Sequence, residues 1–456
     1  MGVTQRLAEW VRAATFEDLP AEVVEQSKSM MLNAAAVALA GAAQPESRAV
    51  TQFLQEMRGN GKCTIIGMGL RTSPVFAALA NGMMVRLLDF DDELPQSGLH
   101  PSSAVFPVVM ALGEMSGYSG KEVLTAFALG CEAAAKLSAA GGQVSGGLQS
   151  WPADGVAGTL GAAAAAARLL KLDQAQTEQA LGLAAGQAGG ITASQATPGE
   201  AFQCGRAAMQ GLIAAMLAQQ GMGGARNAIE APGGLLHNYG QWDLYRTEPQ
   251  QAALLASLGS PWDVVQPGIT LKVYPCHSAA HTSIEAVRQL MQQYRLLPAQ
   301  VEAVRVSVAP AALQALPLAR PSTGWEARSS LAYMVAAALL QGQPLLESFT
   351  DAAVQDPRVS AMVQRVTVAP EETPTASMPL PCSVAATVTG GRVIHHRAEF
   401  ARGQPELPLE PPELDAKFLY CTRYILPPDH IEGAIGQFRD LENVADITGL
   451  ASILGG

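Results

Sequence analysis

Over residues 1–260, apolar side chains recur at three- and four-residue spacing, the pattern of helices that each bury one face. The segments Ala21 to Ala40, Pro74 to Leu88, Ser103 to Met115, Lys121 to Leu137, Gly155 to Leu170 and Gly205 to Gln220 follow it. Each closes near Gly or Asn, as helix ends do. Thr72-Ser73 ahead of Pro74, and Ser102 ahead of the Ala104 to Leu112 run, read as caps. Alternation of β-branched residues is nearly absent here.

The texture changes after Pro267. Val304, Val306 and Val308 alternate with Arg305 and Ser307, which predicts a half-buried strand. Arg365 to Val368 predicts a second. Ser383 to Phe400 predicts a hairpin about Gly390-Gly391, because paired glycines accept the positive φ of a tight turn. Helical segments lie between, at Ser278 to Gln293 and Ser329 to Gln341. From Pro412 the helical pattern resumes through Glu413 to Cys421, Asp429 to Leu441 and Val444 to Leu454. That tail is short for a core of its own and is expected to return to the first helical part. Pro405, Pro408, Pro411 and Pro412 mark the crossing. The expected fold is therefore mainly α: a helical domain from residues 1–265 and 406–456, with an inserted α+β domain over 266–405.

Composition narrows the function. The chain has 456 residues, 48% hydrophobic and 15% charged. That balance fits a compact protein with a large buried area, and we expect subunits to bury surface against each other as a homodimer. The net charge is −11, and no Lys/Arg cluster with interleaved aromatics is present, so no nucleic-acid partner is expected. An anion site in such a chain has to be locally positive. The six cysteines include no CxxC pair, which argues against a disulfide framework or zinc cluster and for a cytoplasmic location. The N-terminal segment is amphipathic and lacks the apolar core of a signal peptide. MGVTQR carries Arg6 where a myristoylation pattern wants Ser or Thr. Gly161 to Leu170 falls well short of the ~20 residues of a membrane span, so no membrane partner is expected.

Three segments could carry chemistry. The first is Asp89-Phe90-Asp91-Asp92 after an apolar helix, followed by His100-Pro101-Ser102. Carboxylates beside a His can orient it and set its basicity, although a solvated helix end is an equally good reading. A Mg²⁺ reading lacks a second acidic motif. The second is Gly268 to His277, continuing to His281. Lys272 lies there in an apolar stretch, where it could serve as a base or hold a carboxylate, or be a surface Lys with a buried stem. His277 and His281 are four apart, but the Glu of H-E-x-x-H and a third ligand are missing, so no metal is expected. The third is Gly186 to Gly190 with Gln203-Cys204-Gly205-Arg206. No GxGxxG stands between a strand and a helix, so no dinucleotide is expected. Arg206 at a helix start could bind an anion or bridge helices.

Several stretches together resemble the MmgE/PrpD family: AALANGMMVRLLDFDD, HPSSAVFPVVMALGE, GTLGAAAAAARLLKL, GRAAMQG, GITLKVYPC with the following His281, RPSTGWEARSSLAYMVAAALLQG, and RGQPELPL before KFLYC. They occur in family order and span almost the whole chain. The resemblance implies a helical domain built from both chain ends, an inserted α+β lid and a homodimer. The activities it implies are 2-methylcitrate dehydration, cis-aconitate decarboxylation and iminodisuccinate epimerisation, with no iron–sulfur, nicotinamide or flavin cofactor. All move a proton at a carbon next to a carboxylate, which requires a base and cations for the developing charge.

By resemblance His100, Lys272 and Asp89 are the catalytic candidates. Asp92, Ser102, Trp151, Gln203, Arg206, Tyr274, His277 and His281 are candidates for substrate binding. The chain departs from the family at Trp151-Pro152, at Glu200, and at Gln203-Cys204-Gly205-Arg206, where relatives carry basic groups. Those departures point to a substrate less anionic than 2-methylcitrate, or bound differently. The leading expectation is a cofactor-independent lyase that dehydrates a small hydroxy acid. An epimerase or decarboxylase on a related di- or tricarboxylate comes second, and an inactive metabolite-binding paralogue third.

Overall fold

The computed structural model describes residues 2–140, 151–239, 247–371 and 380–456. The chain is mainly helical and divides into two units. The first comprises residues 1–87, 91–269 and 410–456, the second residues 88–90 and 270–409.

In the first unit, the Ala153–Leu169 helix packs on Pro198–Gln219 and on Gly120–Ala140, and Pro74–Arg86 packs on Pro198–Gln219 and Pro101–Ser116. The small-residue composition is what allows these approaches. A Cβ on Gly205 would lie 2.2 Å from the carbonyl oxygen of Leu79, so those two helices touch backbone to backbone. Ala162 to Ala166 are fully buried. The Gly120–Ala140 helix is long and apolar enough to cross a membrane, and 94% of its apolar window is buried inside the fold. The Pro411–Thr422 helix packs on Ala21–Ala42, where Lys417 Nζ donates to Asn33 Oδ1 at 2.6 Å.

Two local expectations need correction. The helix expected from Ser103 with Ser102 as cap begins at Pro101, with His100 in the cap position. Proline is pre-set for the first helical position, and that preference sets the start. The helix expected to reach Leu88 ends at Arg86. A short antiparallel pair, Cys63–Ile65 with Leu70–Thr72, was also not expected. Three residues per strand give alternation too little length to register.

In the second unit the described residues include a four-stranded sheet in the order Val366–Pro370, Val301–Val308, Cys382–Val388, Arg392–Ala398. The first pair is parallel, with Val304 opposite Val366, and the others are antiparallel. Gly390 and Gly391 turn the last hairpin at φ +92° and +77°. Val304, Val306 and Val308 point into a core shared with Ile284, Val287 and Leu290 of the His281–Gln293 helix and Met334 of Leu331–Gln341.

Candidate active site

The Pro74–Arg86 helix ends on a cation that its own apolar sequence buries. Arg86 is 6% exposed and reaches three carboxylates: Glu200 at 2.6 Å, Asp91 at 3.6 Å and Asp154 at 4.0 Å. Asp154 comes from the first turn of Ala153–Leu169 and Glu200 from the first turn of Pro198–Gln219. A bridge between Leu94 and Leu99 closes the intervening loop and returns the chain to His100.

His100 is held at its backbone and its ring. Its N–H donates to Asp154 Oδ1 at 2.6 Å, and its carbonyl accepts from Ser103 Oγ at 2.6 Å. Ring Nδ1 lies 2.7 Å from the Asp92 carbonyl oxygen and 3.2 Å from Asp91 Oδ2. A carbonyl only accepts, so Nδ1 carries the proton, and in the neutral ring Nε2 carries the lone pair. The Asp92 carboxylate turns to Ser102, accepting from its hydroxyl and from its N–H at 3.3 Å. Burial, and then the neighbouring Asp91, push the Asp92 carboxyl up to about 7. Burial likewise raises Asp154, against the pull of His100 and Arg86.

The second unit carries its own buried pair. Lys272 is 1% exposed, and its Nζ lies 2.5 Å from Asp89 Oδ1. Asp89 adopts φ +51°, a left-handed conformation that Asp tolerates better than most residues. Gly403 (φ +90°) accepts the Leu271 N–H at 2.9 Å, and a Cβ there would meet the Leu271 carbonyl oxygen at 2.1 Å. The RGQP stretch therefore anchors the backbone next to Lys272. A carboxylate at this distance favours the charged ammonium, so Lys272 is suited to holding an anion.

The remaining candidates are placed as follows. Tyr274 is buried in the second unit's core, donates to Glu285 Oε2 at 2.9 Å and meets the His281 ring edge-on at 5.3 Å. His281 donates from Nε2 to the Cys276 carbonyl at 3.1 Å. His277 sits ahead of the helix, its Nδ1 accepting from the Ala279 N–H at 3.2 Å. Gln203 clamps Ile191, accepting from its N–H at 2.8 Å and donating to its carbonyl at 3.1 Å. Arg206 Nη2 donates to the Gly189 carbonyl. Trp151 is 41% exposed and packs edge-on to Tyr239 at 4.6 Å.

Arg86 escaped the sequence reading, which set the three aspartates beside His100 as a group without singling out Asp91 as the one at the ring. The available signal was a lone arginine inside the apolar run GMMVRLL. Asp154 and Glu200, far apart in the chain, join Asp91 as partners of that arginine.

Buried acid–base groups on a mainly helical chain, with a small α+β second unit, define the class. The chain belongs to the MmgE/PrpD family: residues 5–254 match its N-terminal domain and residues 274–441 its C-terminal domain. It is similar to cis-aconitate decarboxylase of Mus musculus, 28% identical over 100% of this chain and 93% of the relative. The Homo sapiens cis-aconitate decarboxylase is 27% identical over 100% and 95%. The Aspergillus terreus one is 28% identical over 81% and 79%.

Proposed function

We propose that this chain is a lyase of small carboxylic acids that moves a proton at the carbon next to a carboxylate. His100 Nε2 takes or delivers that proton, and Lys272, charged against Asp89, holds the substrate carboxylate as negative charge develops. The observation that carries this reading is the alignment of the His100 ring by the Asp92 carbonyl, which assigns the basic lone pair to Nε2. The names of the full-length relatives make decarboxylation the first reaction to test, ahead of the dehydration that the sequence favoured.

The test offers purified protein cis-aconitate, 2-methylcitrate and a panel of dicarboxylates. Released carbon dioxide reports decarboxylation, new alkene absorbance reports dehydration, and solvent deuterium uptake without mass loss reports epimerisation. Turnover that falls at least a hundredfold in both His100→Gln and Lys272→Ala, each with wild-type circular dichroism, is the expected result. Binding of these acids without turnover of any of them would replace the lyase reading with that of a metabolite-binding paralogue.

We further propose that the chain works as a homodimer through the outer face of the Pro198–Gln219 helix, where Phe202 is 46% and Leu217 38% exposed.

A further inference from the structure

His100 needs a partner for its charged state as well as for its neutral one. In a decarboxylation the ring starts charged, and its Nε2 proton goes to the carbon that keeps the C–C electron pair as carbon dioxide leaves. When Nε2 instead accepts a proton from a substrate carbon, the C–H electron pair moves towards the adjacent carboxylate. The ring then becomes a cation inside a buried site, with its Nδ1 proton still in place. We propose that Asp91 is the positioning residue for this step: its carboxylate, 3.2 Å from Nδ1, stabilises the imidazolium, and Arg86 behind it keeps that carboxylate aligned and charged. This role rests on the assignment of proton transfer to His100.

The surroundings single out Asp91. The charged and titratable groups that face His100 within its unit come from several elements. Arg86 comes from the preceding helix, and Asp91 and Asp92 from the connecting loop. Asp154 lies at the start of Ala153–Leu169, and Glu200 and Cys204 lie on Pro198–Gln219. Cys131, on Gly120–Ala140, faces Asp92. The Asp92 carboxylate is turned to Ser102, and Asp154 Oδ1 is used on the His100 backbone N–H. The Cys204 thiol lies 3.6 Å from Asp154 Oδ2, and burial keeps it protonated. Glu200 acts on Arg86 and reaches the ring through it. Asp91 is fully buried and sets an oxygen against the ring nitrogen itself. The imidazolium forms and discharges there with no proton passing to Asp91, because the Asp92 carbonyl keeps the Nδ1 proton in place.

The experiment is a ¹⁵N-histidine NMR titration of the full chain, with the His100 signal assigned by its loss in His100→Gln. The expected result is a neutral form protonated at Nδ1, and a proton affinity at least about tenfold weaker in Asp91→Asn than in wild type. With cis-aconitate as the probe, Asp91→Asn is expected to lower kcat about tenfold or more while KM stays within about twofold. A neutral ring protonated at Nε2 overturns the proposal, and this is read on the wild-type protein even where the variant does not fold. An unmoved titration in a folded Asp91→Asn also overturns it, since a merely structural Asp91 would lower the melting temperature and leave the imidazole alone. Normal turnover in His100→Gln would remove the lyase role of His100, yet the titration would still decide whether Asp91 holds the ring.

Discussion

Arg86→Met tests the buried charge network most directly. Methionine keeps the stem that packs in the apolar helix but removes the guanidinium that faces Asp91, Asp154 and Glu200. Glu200 is a quarter exposed, so water takes over part of its lost pairing. Asp91 and Asp154 have no such recourse, at 0% and 10% side-chain exposure. Removing one partner from a buried ionic group costs about 3–5 kcal/mol, because the remaining charges stay desolvated. For a unit of roughly 300 residues, a melting entropy of ~2.1 cal/mol/K per residue converts this to a fall of about 5–8 °C. The loss must also depend on pH. Arg86 pulls the Asp154 carboxyl down against burial, so without it that carboxyl rises further. A carboxyl raised on folding costs stability where it is forced to ionise, and the cost disappears once it is protonated. Scanning calorimetry at pH 8 and pH 5 should therefore show the larger deficit at pH 8. Arg86→Met/Glu200→Gln should recover part of it. A melting temperature within about 2 °C of wild type at both pH values would refute the view that this cluster is desolvated and mutually dependent.

Asp92→Asn should gain stability relative to wild type as pH rises. The Asp92 carboxyl is raised from its ordinary value to about 7, so its ionisation penalty is absent below about pH 4, grows through the interval and is complete above 7, with a ceiling of about 4 kcal/mol; chemical denaturation at pH 5 and pH 8 measures the difference, and a pH-independent difference would contradict it. Phe202→Asp should shift the mass in light scattering from dimer to monomer, and a monomeric wild type would remove that interface. Lys272→Arg keeps the cation but replaces its compact ammonium with a broad fork, and should raise KM more than it lowers kcat, as read in initial-rate kinetics.

Much of the fold could be read from the sequence because its signals are local. The alternation of Val304, Val306 and Val308 marks a strand that runs from Val301 to Val308, and Gly390-Gly391 marks the turn between Cys382–Val388 and Arg392–Ala398. The helices near Pro74 and Pro101 were found to within a few residues. The candidate site was legible in part, through residues that stand out by type: His100 after three aspartates, and Lys272 in an apolar stretch. Partnerships were not legible. Arg86 and Glu200 lie 114 residues apart, and Lys272 and Asp89 lie 183 apart. No periodicity records which carboxylate turns towards a ring and which towards a serine hydroxyl. Asp91 and Asp92 are neighbours of identical chemistry, and the direction of each side chain separates their roles.

A chain with so few charges nevertheless buries several of them. At 15% charged residues, most of the core excludes ions outright, and Arg86, Asp91, Asp92, Asp154 and Lys272 are exceptions that each carry a desolvation penalty. Apolar residues of similar volume would often fold as well or better, so such clusters are poorly explained as stabilising devices. They are better explained by what a charge can do where water does not compete. A carboxylate beside an imidazole, or one beside an ammonium, exerts its full influence on a proton in a medium of low dielectric and loses most of it in bulk water. Burial and the neighbouring Asp91, which push the Asp92 carboxyl up, are a cost of that arrangement. On the proposed function, the stability expected to be given up there as pH rises from about 4 to 7 is the counterpart of an imidazole held in one orientation, with Nε2 left to take or deliver the proton.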